Sequence, residues 1–257
     1  MFITDKLIYL ELQKTGSTYI ASLMSKCVEG TRIGRHNLLK DYETNKFIVG
    51  SIRNPWDWYV SLWAFGCGKK GELYNRLTNR KIISHHPFHE LAKPIHLWKD
   101  AYKDYTSPNC FQSWLRLIHD TRRKMDIGEN YYKSSICEFG GLMTYRYCKF
   151  YLKNFLSKRY STNIHTLDEL KNLDKKSNIL KGTIRNESIK DDLIRVLHDA
   201  GHTIDKKIIL QIYNNINKKI NQSEHLDPKY YYDKETIGLV AQRDKFLIEK
   251  YSYAPPL

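Results

Sequence analysis

The sequence predicts an α/β protein with a central, mainly parallel β-sheet of about four or five strands flanked by helices. Two strand–turn–helix units support this prediction. Residues 6–12 are rich in Leu, Ile and Tyr, and a glycine-bearing turn and a helical pattern over 17–27 follow them. Residues 47–53 form a second apolar strand, which Asn54-Pro55 ends before a helix over 56–65. Such alternation is typical of parallel strands joined by right-handed crossovers.

The remaining elements are less regular. We predict a short strand over 31–36, a late strand over 178–185, and a helix that Ser188 caps and that runs to about residue 200. Further helical patterns cover about 98–105, 111–119, 141–156, 167–173 and 234–251. Residues 66–135 have weak periodicity, and we interpret them as a substrate-side insertion or lid within a single domain of 257 residues.

The composition favours an anionic partner. The chain carries 42 Lys and Arg against 28 Asp and Glu, a formal net charge of +14. Nucleic acid, a polyanionic cofactor and an acidic glycan all fit that charge. The lysines are scattered along the chain, so much of the excess is also explained by an ordinary solvated surface.

The cysteines and the N-terminus favour a cytoplasmic protein. The chain has 5 Cys, an odd number without a CxxC pair, which disfavours a disulfide framework or a zinc site. The first residues include acids and lack the apolar segment of a signal peptide. No apolar run is long enough to predict a membrane span.

A first motif lies between the first strand and the first helix. Its sequence is Gln13-Lys14-Thr15-Gly16-Ser17-Thr18. Gly16 allows close approach of the backbone to an anion, Lys14 supplies a charge, and the hydroxyl groups of Thr15, Ser17 and Thr18 supply donors at a helix N-terminus. An ordinary capped turn is the alternative. The Lys precedes the Gly, unlike in a Walker A loop, which disfavours a nucleoside triphosphatase.

A second motif follows the strand over 47–53. Arg53 ends that strand, where an open sheet binds ligands, and Ser61 lies two helical turns further along. A guanidinium and a hydroxyl together are suited to hold a second phosphate. The alternative for Arg53 is an internal ion pair with Asp57.

The two motifs together resemble those of the PAPS-dependent sulfotransferases. In that family the first loop binds the 5′-phosphosulfate of PAPS (3′-phosphoadenylyl sulfate), and the Arg and Ser of the second motif bind its 3′-phosphate. The resemblance implies a P-loop-like fold, PAPS as donor and PAP as product. The cofactor-binding residues that it implies are Lys14, Thr15, Gly16, Ser17, Thr18, Arg53 and Ser61. Gln13 and Tyr19 depart from the family pattern, which usually has Pro and often Trp at these places.

Three further stretches resemble the carbohydrate-type and bacterial branch of the family. Gly34-Arg35-His36 precedes the strand over 47–53, where that branch often has Gly-Lys-His. Residues 184–193 resemble its late R-x-E…D-L segment, and residues 239–253 resemble its closing helix. Residues 66–175 match no motif of the family.

Catalytic roles are assigned to Lys14 and His36. Lys14 would stabilise the charge that builds on the bridging oxygen as the sulfuryl group leaves. The resemblance favours His36 as general base for the acceptor, with a satisfied loop histidine as the alternative and Asp41 or Glu43 as substitutes. Glu11 lies too close to two anionic groups for that role and is predicted to be structural.

The predicted reaction transfers a sulfuryl group to a hydroxyl or amine of a glycan or small molecule, and the basic charge allows an anionic glycan. Asn221 and Ser223 are assigned either to closure over the nucleotide or to a loop cap. No metal is expected, because Pro87 interrupts the histidines at 85, 86 and 89, a pattern typical of a solvated loop.

Three other functions compete with the sulfotransferase. An ATP- and Mg²⁺-dependent small-molecule or nucleotide kinase would require magnesium, and the order of the first motif disfavours it. A basic nucleic-acid-binding protein would bind with steep salt dependence and no preference for a 3′-phosphate. A degenerate sulfotransferase fold that only binds its ligand is disfavoured by the presence together of Lys14, Arg53, Ser61 and His36.

Overall fold

The structure is a computed structural model that describes residues 1–39, 42, 44–81, 86–157, 161–214 and 224–256. The chain divides into two compact units. The first unit comprises Met1–Asn54, Arg146–Phe155 and Leu173–Gln222, and the second comprises Pro55–Tyr145, Leu156–Asn172 and Ser223–Leu257.

The described residues form strands and α-helices with the following bounds. The strands are β1 (Phe2–Ile3), β2 (Leu7–Leu10), β3 (Thr31–Arg32), β4 (Phe47–Ile52) and β5 (Gly182–Arg185). The helices are α1 (Ser17–Cys27), α2 (Pro55–Cys67), α3 (Glu72–Thr78), α4 (Pro87–Ala92), α5 (Ile95–Ala101), α6 (Pro108–His119), α7 (Lys124–Ile127), α8 (Ile136–Phe139), α9 (Leu142–Tyr151), α10 (Leu167–Ser177), α11 (Ile189–Asp199), α12 (Lys206–Asn214), α13 (Lys234–Arg243) and α14 (Lys245–Tyr251). A short 3₁₀-helix, Asn186–Ser188, joins β5 to α11.

All five strands belong to one sheet of the first unit, in the order β3-β1-β2-β4-β5. β2 pairs parallel with β4, and β4 pairs parallel with β5. β1 pairs antiparallel with both β2 and β3. The prediction of an α/β protein is confirmed, but the prediction of a mainly parallel sheet is wrong, because the sheet is mixed. The antiparallel half arises where the chain turns back after the two-residue β1, with the N–H of Thr4 donating to the carbonyl of Leu7 at 2.9 Å.

Helices cover the sheet of the first unit. One core cluster joins buried side chains of β2, β4 and β5 with those of α1, α11 and α12, including Tyr9, Met24 and Leu197. Gly50 of β4 lies against the ring of Tyr151 in α9, since a Cβ built on it would lie 2.7 Å from that ring. Alternate residues of β4 therefore face different helices, as expected of a strand covered on both faces.

All regular secondary structure in the described residues of the second unit is helical. The stretch 66–135, which has weak periodicity in the sequence, contains the short helices α3 to α7. All five Trp are buried in this unit, at 2% exposure or less. Edge-to-face contacts link Trp58, Trp63 and Trp114 to other rings, such as Trp63 to Phe111 at a centroid distance of 5.2 Å. Aromatic packing therefore forms this core.

A buried carboxylate separates the last two helices. Asp244 ends α13, so the single helix predicted over 234–251 is two helices. Its carboxylate accepts hydrogen bonds from the N–H of Thr144 at 2.9 Å, the hydroxyl of Thr144 at 2.7 Å and the hydroxyl of Tyr59 at 2.7 Å. Burial raises the pKa of Asp244, although these bonds oppose the shift. The three donors offset the cost of burying the carboxylate.

Among the described residues, no helix has both the length and the apolar character that crossing a membrane requires.

Candidate functional site

Three loops follow the parallel strands of the first unit at one edge of the sheet. Parallel strands have their carboxyl ends at the same edge, and in open α/β sheets that edge binds ligands. Leu10 of β2 pairs with Gly50 of β4, and Ile52 of β4 pairs with Arg185 of β5. The loop over 11–16, Arg53 and the segment 185–188 therefore lie together.

The loop between β2 and α1 has an unusual backbone. Lys14 and Gly16 have positive φ angles of 63° and 77°. Alternation of left-handed residues turns successive backbone N–H groups toward one side, which is typical of an anion-binding nest. Gly16 is also the N-cap of α1; no side chain of the described residues caps this helix, and its first turn contains no acid. The N-terminal N–H groups and the helix dipole therefore favour an anion here.

The side chain of Thr15 has a structural role. It is fully buried, and its hydroxyl lies 2.8 Å from the carbonyl oxygen of Leu12 and 2.6 Å from Oγ of Ser51. The hydroxyl of Tyr9 donates to the same Ser51 at 2.9 Å. These bonds tie the loop to β2 and β4. We therefore expect any contribution of Thr15 to an anion site to come from its backbone, not from its hydroxyl as predicted from the sequence.

Ser17 and Thr18 begin α1. Ser17 is 5% exposed, whereas Thr18 is half-buried. Both occupy the first turn, where backbone N–H groups lack intrahelical partners. The structure thus places the predicted loop residues 14–18 at the N-terminus of α1.

Two cations come together at this edge. Burial, followed by the charge of Arg53, lowers the pKa of Lys14 to about 8. Because the charge of Arg53 acts on Lys14, the two predicted phosphate-binding cations lie close enough to interact, although they are 39 positions apart in the sequence. Two such cations, partly removed from water, favour a ligand with more than one negative charge.

The segment 185–188 connects the other two loops. The backbone N–H of Asn54 donates to Oε1 of Glu187 at 2.6 Å. A Cβ built on Gly16 would lie 2.6 Å from Nδ2 of Asn186, so the amide of Asn186 packs directly on the glycine. Asp192 fixes the same turn, because Oδ2 accepts from the N–H of Arg185 and from the hydroxyl of Ser188, both at 2.8 Å.

His36 is held beside the loop in a defined tautomer. Its Nδ1 lies 2.8 Å from the carbonyl oxygen of Glu11. Because a carbonyl oxygen only accepts, Nδ1 carries the proton, and the lone pair of the neutral ring is on Nε2. Burial lowers the pKa of His36, the bond to Glu11 opposes the shift, and the charge of Arg146 adds to it. A neutral imidazole with an unprotonated Nε2 is the form that a general base requires.

Glu11 positions the chain around His36. Its buried carboxylate accepts from the N-terminal amine of Met1 at 2.8 Å and from Nε of Arg32 at 2.9 Å. Burial opposes ionisation of Glu11, but these bonds to cations lower its pKa. The carboxylate is thus engaged in a structural ion pair, the role predicted for it from the sequence.

Ser61 belongs to the second unit, where it lies buried in α2. Asp57, the alternative partner of Arg53, belongs to the same helix. The pairing of Arg53 with either residue stays a prediction.

The histidines at 86 and 89 have partners within the second unit. In the second unit Nε2 of His89 lies 2.9 Å from Oδ1 of Asp126, and Nε2 of His86 lies 3.0 Å from the hydroxyl of Tyr132. No group of three His, Cys, Asp or Glu side chains in the described ranges is placed to hold a metal ion. Outside these ranges lie Asp41, Glu43, His85, Asn221 and Ser223.

Sequence reasoning missed two residues of this edge. Asn186 lies between the predicted Arg185 and Glu187, but nothing in the sequence indicates its contact with Gly16, which is 170 positions away. Arg146 acts on His36 from α9, in a stretch without a recognised motif.

The edge thus combines a helix N-terminus, two neighbouring cations and a neutral histidine, an arrangement suited to bind a polyanion and to accept a proton. Comparison of the chain with protein-family models, with curated proteins and with solved structures gave no match.

Proposed function

We propose that this protein is a sulfotransferase that transfers a sulfuryl group from PAPS to a hydroxyl or amine of an acceptor and releases PAP. One observation supports the proposal above all others. The glycine loop, Arg53 and the segment 185–188 meet at the carboxyl edge of β2, β4 and β5. The sequences of these three segments resemble the family. Because that resemblance was drawn from the sequence alone, their meeting at one edge is an independent observation in its favour.

The residues at this edge fit a doubly phosphorylated donor. The nest at Lys14 and Gly16 and the N-terminus of α1 suit the 5′-phosphosulfate. Arg53 would bind the 3′-phosphate. A donor that carries charge at two separated groups is a better match to two neighbouring cations than a single carboxylate. A P-loop-like topology is part of this proposal.

The chemistry requires one proton transfer and one displacement. The acceptor oxygen or nitrogen forms a bond to sulfur, and the bond between sulfur and the bridging oxygen of the 5′-phosphate breaks with its electron pair on that oxygen. Lys14 stabilises the negative charge that builds there. The acceptor proton passes to Nε2 of His36, the unprotonated nitrogen of the tautomer set by Glu11.

Calorimetric titration with PAP, compared with 5′-AMP, ADP, and ATP with Mg²⁺, tests the donor site. We expect micromolar binding that is selective for PAP and that falls about tenfold to a hundredfold in Arg53→Ala, the loss of a charge-assisted bond. Arg122→Ala is the matched control. It removes the same charge from an exposed guanidinium that bonds only Asp120 among the contacts described for its side chain.

The competing functions give different results in the same titration. A preference for ATP with Mg²⁺ would favour the kinase. Weak binding of every nucleotide together with tight, steeply salt-dependent binding of nucleic acid would favour the basic binding protein. Either result would refute the sulfotransferase.

Transfer itself is measured with PAPS labelled in the sulfuryl group and a panel of hydroxyl and amine acceptors. His36→Gln should retain PAP affinity and lose about a hundredfold to ten-thousandfold in transfer rate, the usual contribution of a general base. Equal transfer by the wild type and by His36→Gln would remove His36 from the mechanism.

A further inference from the structure

The side chain of Asn186 lies against Gly16 and has no role in the proposed reaction so far. Gly16 has a φ of 77°, ends the nest and caps α1. A Cβ built on it would lie 2.6 Å from Nδ2 of Asn186 and 3.0 Å from Cδ1 of Ile189. The side-chain amide of Asn186 therefore lies at the N-terminus of α1, beside the backbone N–H groups that favour an anion.

The position of Asn186 is fixed by bonds on both sides of it. Before it, the N–H of Arg185 donates to Oδ2 of Asp192 at 2.8 Å. After it, Oε1 of Glu187 accepts from the N–H of Asn54 at 2.6 Å, directly beyond Arg53. The hydroxyl of Ser188 donates to the same oxygen of Asp192 at 2.8 Å. The turn is thus anchored to Asn54, two residues beyond β4, and to α11, so its backbone loses little conformational entropy when a ligand binds.

A neutral donor suits this place better than a third cation. Burial, and after it the charge of Arg53, lower the pKa of Lys14, so a third cation here would add to an existing repulsion. An amide N–H group donates to an anion without adding to that repulsion. An anionic group only accepts, so it selects the orientation in which the amide turns its N–H groups toward it.

We propose that Asn186 is a donor-binding residue that donates its side-chain N–H to the 5′-phosphosulfate of PAPS, or to the 5′-phosphate of PAP, bound at Gly16. This inference rests on the proposed function. Asn186 is assigned to the 5′ end of the nucleotide, whereas Arg53 is assigned to its 3′-phosphate.

The test compares two probes, PAP and adenosine 3′-monophosphate, which lacks the 5′-phosphate. Calorimetry is performed at millimolar nucleotide on the wild type, Asn186→Ala, Asn186→Asp and the control Asn45→Asp. Asn45 is exposed and precedes β4 at the opposite edge of the same sheet. Thermal denaturation of each variant verifies that it is folded.

We expect Asn186→Ala to weaken PAP binding about tenfold and Asn186→Asp to weaken it about a hundredfold or more, since a carboxylate would face the anion. Binding of adenosine 3′-monophosphate should be unchanged in all variants, and Asn45→Asp should change neither probe. A merely structural role would weaken both probes equally, and that outcome would overturn the inference.

Two failures are distinguishable. If the wild type does not bind PAP, the proposed function fails and this inference fails with it. If the wild type binds PAP and both Asn186 variants bind it equally well, only the assignment of Asn186 is refuted.

Discussion

The pH dependence of PAP binding tests the pairing of Lys14 with Arg53. Burial and the neighbouring guanidinium lower the pKa of Lys14 to about 8. An anion binds best when Lys14 is protonated, so affinity should be full below pH 8 and should fall as the pH rises above it. The sign follows from the direction of the shift, because an ordinary lysine keeps its charge throughout this range.

The expected size follows from the two protonation states. With a pKa of about 8, Lys14 is about 90% protonated at pH 7 and about 10% protonated at pH 9. If PAP binds the protonated form, its apparent affinity falls about tenfold between these values, equivalent to about 1.4 kcal/mol. An ordinary lysine would give almost no change over the same interval.

Calorimetric titration of PAP at pH 7, 8 and 9 measures this decline, and Lys14→Arg is the matched control. An arginine keeps the charge and does not titrate, so its profile should be flat. Any other group that titrates in this range is present in both proteins, so the difference between the profiles isolates Lys14. Equal profiles in the wild type and in Lys14→Arg would refute the coupling of Lys14 to the anion site.

Two further substitutions, each paired with a control variant, test the two units separately. Gly16→Ala should lower the free energy of unfolding by about 1–2 kcal/mol, because residue 16 has a positive φ and its new Cβ would approach Asn186. The same substitution should abolish PAP binding. Gly238→Ala, a helical glycine with open space around it, should instead stabilise the protein by about 0.5–1 kcal/mol in urea denaturation. Asp244→Ala leaves the donors of Thr144 and Tyr59 buried without their acceptor and should cost about 3–5 kcal/mol, whereas the exposed Asp100→Ala should cost less than about 0.5 kcal/mol. A small effect of Asp244→Ala would show that water replaces the carboxylate.

The sequence predicts best those elements whose periodicity is long enough to be unambiguous. The helix predicted over 17–27 has the bounds of α1, and the strand predicted over 47–53 is β4 with one residue fewer. In both, an apolar face is repeated over several residues and a Gly or Pro marks the end. The loop between β2 and α1 is likewise fixed locally, since Gly16 is needed where φ is 77°.

The same reasoning fails where an element is too short to have a period. β1 and β3 contain two residues each, and only the pairing of β1 with β2 and with β3 makes them strands. The antiparallel direction of β1 follows from a turn at Thr4. The N–H of Leu7 donates to Oγ1 of Thr4 at 2.8 Å and stabilises this turn. A hydrophobic pattern in the sequence does not indicate such a turn. The antiparallel strands of the sheet could therefore not be predicted from the sequence.

The candidate site divides in a similar way. Its charged residues were predictable, because motifs after strands β2 and β4 place Lys14 and Arg53 at a common edge. Its neutral contacts were not, since the approach of Asn186 to Gly16 depends on how β5 and α11 pack on the sheet. The hydroxyl of Thr15 was assigned to a ligand from its type alone, although the fold uses it to tie the loop to Ser51 of β4.

We expect protonated Lys14 to lower the folding stability of the free protein and to favour the binding of PAP. The lowered pKa of Lys14 means that the folded protein disfavours its charged form. Between pH 8 and about 10.4 the unfolded chain binds more protons than the folded one, so stability rises with pH there. Below pH 8 the full cost is present. After allowance for solvent screening, we expect this cost to be about 1–2 kcal/mol.

Lys14→Met removes that cost and the anion contact together. Without ligand it should be more stable than the wild type by about 1–2 kcal/mol at pH 7, and the difference should vanish near pH 10.4. With PAP at a hundred times its dissociation constant, the wild type should gain about 2.7 kcal/mol, and the variant much less at the same concentration. The order of the two melting temperatures should therefore reverse when PAP is added. A variant that is less stable than the wild type at pH 7 without ligand would mean that Lys14 is held by favourable contacts, and the cations would then be part of the structure instead of a site prepared for an anion.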